Sequence, residues 1–109
     1  WINLPAANKM DPPRYQEFSA GQIPLERRQG SDIRVIAGKT RQGTRGPVQQ
    51  PLTDPRYFDV SLQAGHPYHE ELPPGHAAFL LVIEGRLRAK TDQGEPTWLE
   101  RDRLAILGP

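Results

Sequence analysis

Gly75-His76-Ala77-Ala78-Phe79-Leu80-Leu81-Val82-Ile83-Glu84-Gly85 decides the fold of this 109-residue chain. Its apolar run, Ala77 to Ile83, has the length of a strand covered on both faces and is short for a helix. Glu84-Gly85 reads as a turn. Arg86-Leu87-Arg88-Ala89-Lys90 then alternates, which predicts a return strand with Leu87 and Ala89 inward and the three cations outward. Asp92-Gln93-Gly94 reads as a hairpin loop. Trp98-Leu99 and Leu104-Ala105-Ile106-Leu107 read as closing strands.

Working outward, Ser31-Asp32-Ile33-Arg34-Val35-Ile36-Ala37-Gly38 is β-branched and stopped by glycine, a strand signature. Tyr57-Phe58-Asp59-Val60-Ser61-Leu62 alternates and places Phe58, Val60 and Leu62 on one face. Between them, Lys39 to Pro47 carries Lys39, Arg41 and Arg45 among glycines. It lacks the spacing and following helix of a phosphate loop, so a solvated loop is expected. Pro51 to Pro55 is a connector. From Ala6 to Pro24 periodicity vanishes, and Asp11-Pro12-Pro13-Arg14-Tyr15 is stiff and extended because residues before proline avoid the helical region. This stretch reads as a linker crossing a protein surface, anchored by Tyr15, Phe18 and Ile23.

Twelve prolines and ten glycines are roughly double the ~12% of average usage. That punctuation suits short strands and tight turns. The fold class expected is all-β: an antiparallel β-sandwich or jelly roll, forming a partial barrel.

Fourteen basic and thirteen acidic residues nearly cancel, so no strong field draws the chain to nucleic acid or to a membrane. The absence of cysteine excludes disulfides, a thiol nucleophile and thiolate zinc sites. No apolar run approaches the ~20 residues of a membrane-spanning helix, and no signal-peptide pattern opens the sequence. A cytoplasmic setting is expected. The chain opens on Trp1 and closes on Gly108-Pro109, so a piece of a longer protein is expected.

Candidate chemistry is sparse. Ser19, Ser31 and Ser61 lack a nucleophile-elbow context. Glu70, Glu71 and Glu84 are expected to be exposed carboxylates rather than a catalytic pair. His66, His69 and His76 cluster in sequence and are the weak candidates for a metal site. His66 and His69, three apart in a proline-containing loop, do not share a strand face. Arg86, Arg88 and Lys90 form an outward cationic stripe, a candidate contact for an acidic partner, with a solvated face as the plainer reading.

The central stretch, with its Glu84-Gly85 turn and with Asp102 before the last apolar strand, resembles a cupin. Trp1-Ile2-Asn3-Leu4-Pro5 and Lys9-Met10-Asp11-Pro12-Pro13-Arg14-Tyr15-Gln16-Glu17 resemble the interdomain segment of the pirin family, whose members carry two cupins. Ile33 to Gly38 and Tyr57 to Val60 continue the resemblance in the same order. It implies that residues 1–30 are the end of an upstream cupin and a linker, and that residues 31–109 are a truncated C-terminal cupin. It further implies an iron site in the missing first cupin, built from three histidines and a glutamate, and a quercetin 2,3-dioxygenase activity in the parent. Aligned on Glu84-Gly85, the two histidine positions of a cupin metal site fall on Glu71 and Pro73, and the glutamate position on Ala77. No cofactor is therefore expected in this chain. The expected partner is the upstream cupin of the same protein, packed through Trp1, Tyr15 and Phe18. The alternative is a protein-interaction or transcription-cofactor module, since regulators of that kind also occur in the family.

Overall fold

The computed structural model describes residues 1–90 and 95–107. The chain divides into two compact units, Trp1–Glu71 and Leu72–Pro109. Among the described residues the regular elements are seven β-strands and two single-turn 3-10 helices, Ala6–Asn8 and Ala20–Gln22. All pairing between these strands is antiparallel, and no barrel closes among the described residues. This is the antiparallel all-β class read from the sequence, consistent with part of a cupin-like fold. No helix among these residues is long and apolar enough to cross a membrane.

In the first unit, β1 (Leu25–Arg28), β2 (Ser31–Ala37) and β3 (Tyr57–Leu62) form a sheet in that order. The central strand alternates: Ser31, Ile33, Val35 and Ala37 are buried, while Asp32 and Arg34 are exposed. Ile33 and Val35 are fully enclosed; removing side chains of that size from water stabilises by about 1.5–3 kcal/mol each. Phe58, Val60 and Leu62 share one face of β3, as expected, and are half-buried. Outward charges are matched across the sheet, with Arg27 opposite Asp32 and Arg34 opposite Asp59. Such pairs help set register.

The loop after β2 is more ordered than a solvated basic loop. Lys39 bridges to Arg45, the Gly46 amide donates to the Gly38 carbonyl at 2.9 Å, and the Val48 amide donates to Ile36 at 3.1 Å. Gly46 lies so close to β2 that a Cβ would sit 2.5 Å from the Ile36 carbonyl group. Only a residue without a side chain lets the loop close there. Lys39, Arg41 and Arg45 stay exposed, but Thr40 is buried at 2% exposure. The linker is also tied down. The side chain of Gln16 donates to the Gln49 carbonyl at 2.9 Å and accepts from the Gln49 amide at 3.0 Å. Phe18 and Ile23 are half-buried anchors, whereas Tyr15 is exposed.

In the second unit, β4 (Ala78–Leu81) pairs with β7 (Leu104–Leu107), and β5 (Arg86–Ala89) pairs with β6 (Thr97–Glu100). The Glu84-Gly85 turn exists, with Gly85 at φ 74°, but β4 and β5 do not form the hairpin implied by a return strand. Side-chain matching gives the reason. Phe79 faces Ile106 and Leu81 faces Leu104, while Arg86 faces Glu100 and Arg88 faces Trp98. The β4–β7 pairs are apolar throughout, and in β5–β6 Leu87 faces Leu99 while the charges of Arg86 and Glu100 face each other. The Val82 amide and carbonyl continue the β4 pairing to Arg103 and Asp102 at 3.0 and 2.7 Å, and Val82 is buried.

Ala77 to Ile83 is not covered on both faces. Phe79, Leu81 and Ile83 are exposed, as are Leu104 and Ile106 on β7, because within this unit no described element packs on that face of the two-stranded sheet. The alternation expected for β5 holds: Leu87 and Ala89 are half-buried, and Arg86 and Arg88 are exposed. The expected Asp92-Gln93-Gly94 loop lies outside the described residues.

Truncating Ile33 to Ala should cost about 2–5 kcal/mol of unfolding free energy. Truncating the exposed Ile106 to Ala should stay within about 0.5 kcal/mol. Denaturant unfolding followed by circular dichroism compares the two.

Candidate functional site

The most constrained chemistry in the chain is a buried ion cluster in the first unit. In β1 the period of two puts Glu26 and Arg28 on the same face, and register aligns Glu26 with the enclosed Ile33. Two charged side chains are thereby carried inward. The two-residue Gln29-Gly30 turn returns the chain into β2, with Gly30 at φ 75°. A Cβ at Gly30 would overlap the His66 imidazole at 2.1 Å, so a missing side chain lets the 66–71 segment lie against the turn. That segment supplies the third member, Glu70.

Arg28 spends its guanidinium inside the chain. Nε donates to Glu26 Oε1 at 2.6 Å, Nη2 to Glu70 Oε2 at 2.6 Å, and Nη1 to the His69 carbonyl at 3.0 Å. All three charged side chains are about 7% exposed or less. The remaining carboxylate oxygens are satisfied by the Thr40 hydroxyl on Glu26 and by the Arg41 amide on Glu70. The loop after β2 thus delivers both donors. The guanidinium also lies 5.5 Å from the centre of the Tyr68 ring.

The ionisation states follow from this packing. Burial pushes the Glu26 carboxyl up, but hydrogen bonds from Thr40 and Arg28, with the Arg28 charge, outweigh it and hold Glu26 below its ordinary 4.5. Burial works against the Arg28 charge, and the hydrogen bonds and charges of Glu70 and Glu26 more than restore it. Burial and then the Glu70 charge push Tyr68 up to about 12. The Tyr68 hydroxyl is buried and lies near that charge without donating a hydrogen bond. Glu70 is therefore not the exposed carboxylate expected from its type; Arg28, 42 residues away, takes it out of water.

Above this cluster is an open pocket of about 320 Å³, between the 28–31 turn, Arg41-Gln42 and the 67–69 segment. Its charged floor is already saturated by internal partners, so the cluster acts as a clamp joining β1, the loop after β2 and the 66–71 segment. Arg28 is not left over to grip an anion.

The metal candidates are scattered by comparison. His66 is packed on Gly30, His69 is exposed and uses its carbonyl toward Arg28, and His76 is exposed in a turn where its amide donates to Pro73 at 3.2 Å. Among the described residues no three His, Asp or Glu side chains are grouped to hold a metal ion. Pro73 and Ala77, the positions expected from the resemblance to correspond to cupin ligands, carry no side-chain donor atom, and Glu71 is exposed. An iron centre does not fit these residues.

In the second unit, Arg86 and Arg88 on β5 and Trp98 and Glu100 on β6 point outward together, because residues directly opposite in an antiparallel pair share a face and the register pairs Arg86 with Glu100 and Arg88 with Trp98. The Arg86 guanidinium stacks 4.7 Å from the centre of the Trp98 ring, a contact worth about 0.5–1 kcal/mol at an exposed site. Lys90 continues the stripe and is exposed. The alternation of β5 made this stripe legible; Trp98 and Glu100 needed the pairing register. Trp1 and Tyr15, expected to pack between domains, stand exposed in the first unit, and Phe18 is half-buried.

Arg28→Met strands two buried carboxylates and should cost about 3–5 kcal/mol in denaturant unfolding. Because folded Glu26 titrates below its unfolded value of 4.5, its contribution is present above that pH and is lost as pH falls through the folded value. Glu26→Gln should flatten the acid side of the stability–pH curve. Tyr68 acts on the other side: its contribution is present below about pH 10 and lost as pH rises through about 12. Ultraviolet titration should show one late tyrosinate step that Tyr68→Phe removes.

Comparison with known proteins places this chain among named relatives. It is 44% identical over 93 residues to a pirin-like protein of Caulobacter vibrioides, covering 84% of this chain and 34% of that protein. It is 40% identical over 112 residues to a Pseudomonas aeruginosa protein provisionally named a quercetin 2,3-dioxygenase, covering 98% of this chain and 38% of the relative. Pirin-1 of Arabidopsis thaliana is 38% identical over 85 residues, covering 78% of this chain and 29% of its own length. The chain spans about a third of the length of the curated relatives it matches. No family model matches it, and no solved structure matches it significantly.

Proposed function

This chain belongs to the pirin family, and from that premise we propose that it is a non-catalytic C-terminal cupin module of a two-cupin protein. Its role is to pack against an upstream cupin and to shape the whole. The observation that carries this reading is the donor set: proline and alanine stand at Pro73 and Ala77, where a cupin metal site needs an imidazole and a carboxylate. Fold and function separate readily in such architectures, because a scaffold persists after its site residues are replaced. The saturated Arg28 cluster supports the same reading, since its polar atoms are committed to holding the unit together.

The parent protein, in this proposal, is an iron-dependent dioxygenase of flavonol-like substrates, with its metal held upstream of this chain and in the cytoplasm. The name carried by the Pseudomonas aeruginosa relative supports that activity for the family. The exposed Trp1 and Tyr15 are the side chains assigned to the interdomain contact, with Phe18 beside them. A second reading, a protein-interaction module, is favoured by one feature: the exposed Arg86–Trp98 stack on the β5–β6 ribbon.

Elemental analysis of the purified chain tests the first reading. Iron far below one atom per chain is the expected result. Stoichiometric iron that disappears in a His66→Ala/His76→Ala double variant would overturn it.

A further inference from the structure

We propose that the β5–β6 ribbon docks an extended acidic polypeptide segment, gripped by Arg86, Arg88 and Lys90 with Trp98 beside them. This deepens the interaction reading and rests on it. Arg86 and Arg88 occupy alternate positions of β5, so they repeat at about 6.6–6.8 Å, and Lys90 follows directly after the strand end. Alternate side chains of any extended polypeptide repeat at the same distance. Carboxylates at positions i and i+2 of a partner segment therefore meet Arg86 and Arg88 one to one, and Lys90 adds a third positive charge just past the strand end.

The surface is also partly preorganised. The Arg86 guanidinium is parked 4.7 Å from the centre of the Trp98 ring, so less of its rotamer freedom is lost when a carboxylate arrives. A stacked guanidinium keeps its in-plane N–H groups available for a two-oxygen acceptor. Trp98 is 52% exposed, and its remaining surface offers a contact for an apolar side chain of the partner. Among the described residues no carboxylate is in ion-pair range of Arg88 or Lys90. Glu100 sits opposite Arg86 on this face, leaving three cations against one anion.

These features favour an acidic polypeptide over a nucleic acid. A phosphate backbone is held by many cations at once, whereas this chain has a net charge of +1 and places a carboxylate within the stripe. Glu100 would repel a continuous row of phosphates, while an extended peptide can present a neutral side chain there.

Fluorescence anisotropy with labelled probes on the full 109-residue chain tests this. The probes are a peptide alternating Glu and Leu, its Gln-for-Glu counterpart, and a short oligothymidylate. The Glu peptide should bind in a salt-sensitive way. Its affinity should fall by about tenfold or more in Arg88→Glu, fall less in Arg88→Gln, and stay unchanged in Arg34→Glu, an exposed cation on β2. Circular dichroism should show both Arg88 variants folded. Equal binding of the Gln peptide, or tighter ribbon-dependent binding of the oligonucleotide, would overturn the acidic-polypeptide assignment and keep the ribbon as a contact surface. Insensitivity of every probe to Arg88→Glu would remove the interaction reading as well.

Discussion

Arg28 is pinned between Glu26 and Glu70, and the first unit is arranged around that constraint. A buried guanidinium is tolerable only if each donor finds an acceptor and each acceptor is itself satisfied. The chain meets that demand from three places. β1 supplies Glu26, the 66–71 segment supplies Glu70 and the His69 carbonyl, and the loop after β2 supplies the Thr40 hydroxyl and the Arg41 amide. Replacing such a cluster with apolar side chains is often neutral for stability. Its effect here is on arrangement, because each pairing is specific and a one-residue slip of β1 would turn both charges outward.

The same saturation limits what the cluster can do. A residue whose hydrogen-bonding groups are engaged internally has little left for a ligand, so the most conspicuous buried charges belong to the scaffold. On the β5–β6 ribbon, by contrast, Arg86, Arg88 and Trp98 are exposed, as is Lys90 just past β5. In the stretch that resembles a cupin, Pro73 and Ala77 have no side-chain donor atom to offer a metal.

Pairing in the second unit illustrates a further constraint. β4 and β5 are neighbours in sequence and would form a hairpin on proximity alone. They pair instead with β7 and β6, which keeps Phe79 and Leu81 against apolar partners and Arg86 against Glu100. The loop-closure cost of the longer connection grows only slowly with length, so favourable side-chain pairs can outweigh it.

Much of this was legible in the residues themselves. The alternation of Ser31 to Ala37, Tyr57 to Leu62 and Arg86 to Ala89 reports strands and their inward faces, because a period of two is a local property of the backbone. The proline and glycine content likewise reports an all-β chain of short elements. β1 was not legible, since Leu25-Glu26-Arg27-Arg28 has no apolar alternation to betray it. Nor was the burial of Glu70, the burial of Thr40 or the open face of Phe79, Leu81 and Ile83. Local sequence determined where strands run and which side chains point together. Tertiary structure decided which of those faces meets water and which charges are buried, because the free energy of a buried charge depends on partners brought from distant parts of the chain.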